Sequence, residues 1–177
     1  MASTTHYLAI SMSALLTGGV AACSWLGVPP LYHAPPLLRA KQWEDLYIRG
    51  RAVAPTGGLI TASAFSYLSY QAYRRALPTA GFHSLTSKPS LYALGALCLI
   101  GFPVFTAITM EPASGVNGRM FTKLRQWKGK NEGEVTVSEA EDKEIKQILD
   151  QWIYLNYIRA CLPATACGLA IAATWAL

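Results

Sequence analysis

The sequence predicts an all-α fold: a four-helix transmembrane bundle with a short amphipathic helix in loop one and a polar extension of the last helix. Three observations lead there. Hydrophobic residues make up 52% of the 177 residues and charged ones only 14%, with a positive mean hydropathy, whereas soluble domains carry about 25% charged residues. The apolar residues are gathered into long runs instead of recurring with the period of one helix face or one strand face. Three runs reach the roughly 20 residues that cross about 30 Å of hydrocarbon: 6–28 and 90–110 hold no Lys, Arg, Asp or Glu, and 152–177 holds only Arg159. A fourth run, 57–75, is richer in Ser and Tyr but uncharged until Arg74.

The first span, 6–28, carries Ala14, Gly18 and Ala22 at the small-residue spacing of close helix packing. Its VAAC stretch resembles a secretory processing site, yet residues 1–22 lack the Lys or Arg of a signal n-region, so the span is expected to be kept. Loop one opens with proline pairs that cannot continue a helix. Its middle, PLLRAKQWEDLYIRG, places Leu37, Leu38, Ala40, Trp43, Leu46 and Tyr47 near one face, with Gly50 as a stop. This helix either lies in the membrane interface or forms the lid of a pocket. The second span, 57–75, shows a polar stripe of Ser63, Ser66, Tyr67 and Tyr70, which suits interhelical hydrogen bonds or a channel. In the third, 90–110, Pro103, Thr106 and Met110 share a face, and the proline is expected to free carbonyls and open space beside a neighbour. Loop three offers Ser138-x-x-Glu141, the spacing of a capping box, followed by Ile145, Ile148 and Trp152 in helical register. The last helix is therefore expected to start in water and run on into the span 152–177. Together, residues 1–177 read as a single integral membrane domain.

The net charge of +5 is spread over the loops and does not form a nucleic-acid patch. With four spans, the positive-inside rule puts loops one and three in the cytosol. Cys23, Cys98, Cys161 and Cys167 all fall in apolar runs without a CxxC spacing, which reads as buried thiols. No dinucleotide fingerprint, haem attachment motif or nucleophile elbow is present. His33 and Glu111 are too few to hold an ion. The expectation is a protein without a metal or bound redox cofactor.

Arg159 stands out because a cation within a span is costly by at least about 2.5 kcal/mol and usually faces protein or a watery cavity. At 100° per residue, Trp152, Asn156 and Arg159 share a stripe with Ile145, Ile148, Pro163 and Ala166. Snorkelling to the headgroups would satisfy the guanidinium alone, but Asn156 one turn away favours an inward pocket. Four spans bring the matching membrane face of each helix together, collecting Trp25, Tyr32, His33, Trp43, Tyr47 and Thr56 with Thr106, Met110, Asn117 and the Arg159 stripe.

Three segments carry a resemblance: WEDLYIRG at 43–50, PVFTAITM at 103–110 with Asn117 beyond, and WIYLNYIR at 152–159. The chain resembles the anthrone oxygenases, small four-span membrane proteins of polyketide pathways. The resemblance implies oxidation of a planar tricyclic anthrone to its anthraquinone, with O2 as co-substrate and no cofactor. Within it, His33 is the expected base, being the only histidine on that face, and Asn156 and Arg159 would hold the developing oxyanion. Trp43, Tyr47 and Trp152 would enclose the rings, and Thr106, Met110 and Asn117 would complete the substrate wall. The implied partners are a planar aromatic polyketide, membrane lipid and a pathway polyketide synthase, with no nucleic acid. The implied location is the endoplasmic reticulum or another endomembrane. The competing expectation is a non-enzymatic four-span scaffold or carrier whose polar stripe only holds helices together.

Overall fold

A computed structural model describes residues 4–76, 84–130 and 135–176. These form five α-helices: α1 (Thr4–Ala22), α2 (Pro36–Ala76), α3 (Lys88–Phe105), α4 (Val116–Gln126) and α5 (Glu139–Trp175). A π-helical turn, Cys23–Gly27, and a 3-10 turn, Pro29–His33, follow α1, and a second π-helical turn, Thr106–Met110, follows α3. The all-α expectation holds, and no strand occurs among the described residues. Three of these helical stretches are long and apolar enough to cross a membrane: Thr4–His33, Lys88–Met110 and Glu139–Trp175. The stretch 57–75 is helical but lies outside that set, because its Ser, Tyr, Gln and Arg residues dilute the apolar ones.

Two expectations about helix ends are corrected. Gly50 does not stop the loop-one helix, which continues through Pro55 to Ala76 as α2. A glycine terminates a helix by taking positive φ, and Gly129 alone does so among the described glycines. The segment read as a polar loop contains α4, an amphipathic helix burying Val116, Asn117 and Met120. One other expectation is met. The Ser138 amide donates to Glu141 Oε2 at 3.1 Å and the Glu141 amide to Ser138 Oγ at 3.3 Å, a reciprocal cap at the start of α5. Pro103 lies just upstream of the π turn, where the Glu111 amide reaches back to the Thr106 carbonyl at 3.1 Å.

The chain divides into two compact units. The first comprises 1–18, 54–104 and 160–177. Its core joins Ala9, Leu16, Phe65, Leu99, Ala166 and Ala170. Gly95 is required there, since a Cβ would lie 2.4 Å from the Phe65 ring. The buried face of α1 here runs through His6, Ala9, Ser13 and Leu16, with Ser13 Oγ donating to the Ala9 carbonyl at 2.8 Å. Ala14 and Gly18 are exposed, so the small-residue stripe is not the packed one. On α2 the polar stripe is also outward. Ser63 and Ser66 bond their own helix backbone, while Ser69 makes the interhelical bond to the Pro89 carbonyl at 2.8 Å.

The second unit comprises 19–53 and 105–159. Its core gathers Val28, Leu31, Trp43, Met120, Ile145 and Trp152. Arg39, only 3% exposed, fastens it. Its guanidinium donates to the carbonyls of Leu31 at 3.0 Å, Ala34 at 2.9 Å and Tyr32 at 3.3 Å. Its remaining nitrogen, Nη1, meets Asp142 at 2.5 Å on the first turn of α5. Lys123 and Arg119 of α4 add half-buried pairs to Glu144 at 2.7 and 3.8 Å. Replacing Arg39 removes a donor from three carbonyls and the buried partner of Asp142, so Arg39→Met is expected to lower stability by about 2–3 kcal/mol. Lys146→Met, which removes an exposed i,i+4 partner of Asp142, should cost no more than about 0.5 kcal/mol. Chemical unfolding in detergent measures both.

Candidate active site

Within the second unit, α2, α4, α5 and the second π turn converge on one buried cluster. On α2, Arg39, Trp43 and Tyr47 recur every fourth residue and so share a face. Trp43 is fully buried, stacks on Tyr47 at 5.3 Å and meets the edges of Phe121 and Trp152 at 5.4 and 6.3 Å. On α5, Trp152 and Asn156 are buried one turn apart, on the stripe that the sequence marks as inward. The wall is therefore aromatic on α2, α4 and α5.

The polar groups fall into two sets. Arg159 Nη1 donates to the Thr106 hydroxyl at 3.1 Å, so the guanidinium is turned toward protein at the first residue of the π turn. Its charge also reaches Cys23, Tyr47 and Glu111. The second set centres on Glu111. Tyr47 donates its phenol hydrogen to Glu111 Oε1, and Asn117 Nδ2 donates to the same oxygen at 3.2 Å. Arg51 Nη1, one turn beyond Tyr47, donates to the phenol oxygen at 3.3 Å. Local chain geometry fixes this second set. Gly115 opens α4, and a Cβ there would lie 2.5 Å from the Met110 carbonyl oxygen. Only glycine lets the turn after Met110 close tightly enough to bring Asn117 back onto Glu111.

Several buried polar atoms of the second unit find no hydrogen-bond partner among the described residues. They are the indole nitrogens of Trp43 and Trp152, Asn117 Oδ1, Ser24 Oγ and both amide atoms of Asn156. Each such atom costs roughly 1–3 kcal/mol when left unpaired, and buried polar atoms are normally satisfied. Three N–H groups and three oxygens are thus left unpaired among aromatic side chains.

The structure brings together Trp43, Tyr47, Met110, Asn117, Trp152 and Asn156, all buried, with Thr106 and Arg159 half-buried at the edge. His33 is exposed at the end of the 3-10 turn and has no place in the buried cluster. Trp25 is likewise exposed, at 72%.

The sequence profile of the anthrone oxygenase family matches residues 43–169, from Trp43 of the cluster to beyond Arg159. The chain belongs to the anthrone oxygenase family. It is also 25% identical over 163 residues to the anthrone oxygenase encC of Aspergillus fumigatus, a match covering 88% of this chain and 84% of that one. No solved structure matches. Anthrone oxygenase membership fits an aromatic, partly polar cluster built on helices of membrane length.

Glu111 and Arg51 are the site residues that the sequence reading left out of the substrate wall. Glu111 carried a signal, being the only carboxylate between Asp45 and Glu132 and standing at the end of an apolar run. Arg51 lies at i+4 from Tyr47, and that spacing pairs them on one helix. Burial first, and then the hydrogen bond and charge of Glu111, push the Tyr47 phenol from 10.0 up to about 12. The folded protein thus holds this proton more tightly than the unfolded chain does. Stability from it is fully present below pH 10.0 and is lost as pH rises toward about 12. Ultraviolet difference titration is expected to show a tyrosine step near that upper value that disappears in Tyr47→Phe. In Glu111→Gln the step moves down but stays above the free-tyrosine position, because burial is the larger cause.

Proposed function

We propose that the protein is a cofactor-independent anthrone oxygenase, taking a planar polyketide anthrone and O2 to the anthraquinone and water. The observation that carries this reading is Asn156, fully buried with both amide atoms unpartnered among the described residues, one turn from Trp152 and in line with Arg159. A scaffold that used the polar stripe only to hold helices together would pair those atoms across the interface.

The chemistry starts at the methylene carbon opposite the anthrone carbonyl. Loss of one proton leaves a carbanion that is also the oxyanion of the hydroxylated aromatic tautomer. Arg159 and Asn156 are donors for that oxygen, and a fixed donor at a developing oxyanion is worth about 10²–10³ in rate. Glu111 is the proposed proton acceptor. It sits inside the cluster, bonded to Tyr47 and Asn117, whereas the exposure of His33 argues against proton transfer at a buried carbon. The electron-rich ring reduces O2, and a carbon–oxygen bond forms at the deprotonated carbon. The outer peroxide oxygen takes a proton. Removal of the second proton from the same carbon then breaks the oxygen–oxygen bond, leaving the new carbonyl and releasing water. One oxygen atom is retained and the other leaves with both hydrogens, so no outside reductant is needed. Trp43, Tyr47 and Trp152 stack on or edge the rings, and Met110 and Thr106 close the wall.

An endomembrane such as the endoplasmic reticulum suits this reaction, since anthrone and O2 both partition into apolar phases, and a polyketide synthase is the proposed source of the substrate. In an oxygen-uptake assay with an anthrone, quinone formation should exceed the spontaneous rate of a detergent blank and survive exhaustive chelation. Arg159→Ala and Asn156→Leu should each lower kcat/KM by about 10²–10³, and Glu111→Gln by about 10²–10⁴. His33→Ala should retain the rate. No quinone above the blank overturns the enzyme reading. Loss of rate in His33→Ala, with Glu111→Gln active, returns the base to His33.

A further inference from the structure

The first unit contains no Asp or Glu at all, since the ten carboxylates of the chain all fall outside residues 1–18, 54–104 and 160–177. Its only Lys and Arg residues are Arg74, Arg75 and Lys88. Arg74 and Arg75 stand in the last turn of α2, and Lys88 is the first residue of α3. None of the three makes an ion pair among the described residues. Arg74 instead lies over the Tyr70 ring at 6.0 Å.

Tyr70 also lines a groove of about 550 Å³ between α2 and α3. Ser66, Tyr73 and Ser90 line it on the polar side, and Leu97 and Ile100 on the apolar side. Ser66 is bonded to its own helix, donating to the Ala62 carbonyl at 2.9 Å. From Ser90 to Ile100 the groove follows α3 for about 15 Å at roughly 1.5 Å per residue. Hydrocarbon about 30 Å thick has leaflets of that same depth. Arg74, over the Tyr70 ring, stands toward the Tyr73 and Ser90 end, with Arg75 beside it in the chain and Lys88 two residues before Ser90, and phenols at that level suit the membrane interface.

We propose that this groove seats one anionic glycerophospholipid, an acyl chain lying along Leu97 and Ile100 and the phosphate held by Arg74, Arg75 and Lys88. The counter-charge comes from lipid because the unit has no carboxylate to supply it. A basic pocket at the end of membrane helices is the setting in which anionic headgroups are recognised. A zwitterionic lipid fills the same groove but brings its own cation to the phosphate, and so gains less.

The test uses the full chain purified from vesicles of equal phosphatidylglycerol and phosphatidylcholine, followed by native mass spectrometry. One phosphatidylglycerol should stay bound per chain, and adding it to delipidated protein should raise the melting temperature more than phosphatidylcholine does. Arg74→Gln, Arg75→Gln and Lys88→Gln should each weaken retention by about fivefold. Ala93→Phe narrows the groove from an exposed position, and should abolish retention while leaving the lipid-free melting temperature unchanged. Equal retention of the two lipids overturns the proposal, as does wild-type retention in the triple glutamine variant or in Ala93→Phe. Should the triple variant not fold, the exposed single substitution Arg75→Gln decides, unchanged retention counting against the seat.

Discussion

The guanidinium of Arg39 is the constraint on which the second unit depends. Three of its hydrogen bonds tie down the carbonyls of the turn at Leu31, Tyr32 and Ala34, and its pair with Asp142 fixes the start of α5 against α2. Register follows from that one clasp. One and two turns beyond Arg39 stand Trp43 and Tyr47, and further along the same side of α5 from Asp142 stand Ile145, Leu149, Trp152 and Asn156. A slip of either helix would carry Trp43 away from Trp152. The clasp uses a planar five-donor group because four acceptors at fixed angles must be met at once, which an ammonium cannot do.

With the helices in register, the site owes its polarity to unequal satisfaction of its groups. Glu111 is held by Tyr47 and Asn117, and Arg159 meets Thr106, whereas the amide of Asn156 and the two indole N–H groups have no hydrogen-bond partner among the described residues. Low local dielectric makes each unpaired group expensive and each new bond to it strong. The cluster thereby gives up some stability. The π turn at Thr106–Met110 shapes its polar side, since the wider turn after Pro103 places Thr106 opposite Arg159 and delivers Glu111 to Tyr47.

Much of this was legible in the chain. Apolar runs set the all-α class, and the 100° stripe on the last helix picked out Trp152, Asn156 and Arg159. The Ser138–Glu141 spacing marked the start of α5. Other features were hidden for definable reasons. Gly50 and the Gly18 stripe were misread because a glycine's role depends on the φ it adopts and on what lies opposite, and neither is written locally. Ser63 and Ser66 looked interhelical, but a helical serine can always bond its own backbone, so spacing does not tell the two apart. Nothing in the sequence singles out Arg39 among the loop cations, because its three carbonyl acceptors come together only in the folded turn before it.

The sequence by itself determined the all-α class, the three most apolar membrane-length runs and which face of the last helix is polar. These follow from residue type and period, and they also carry the family's motifs. Only the tertiary structure decided that Glu111 joins Tyr47, that His33 stays outside, and that Asn156 is buried without a partner among the described residues. The first joins residues 64 positions apart, and the other two depend on burial, which arises only when separate helices pack.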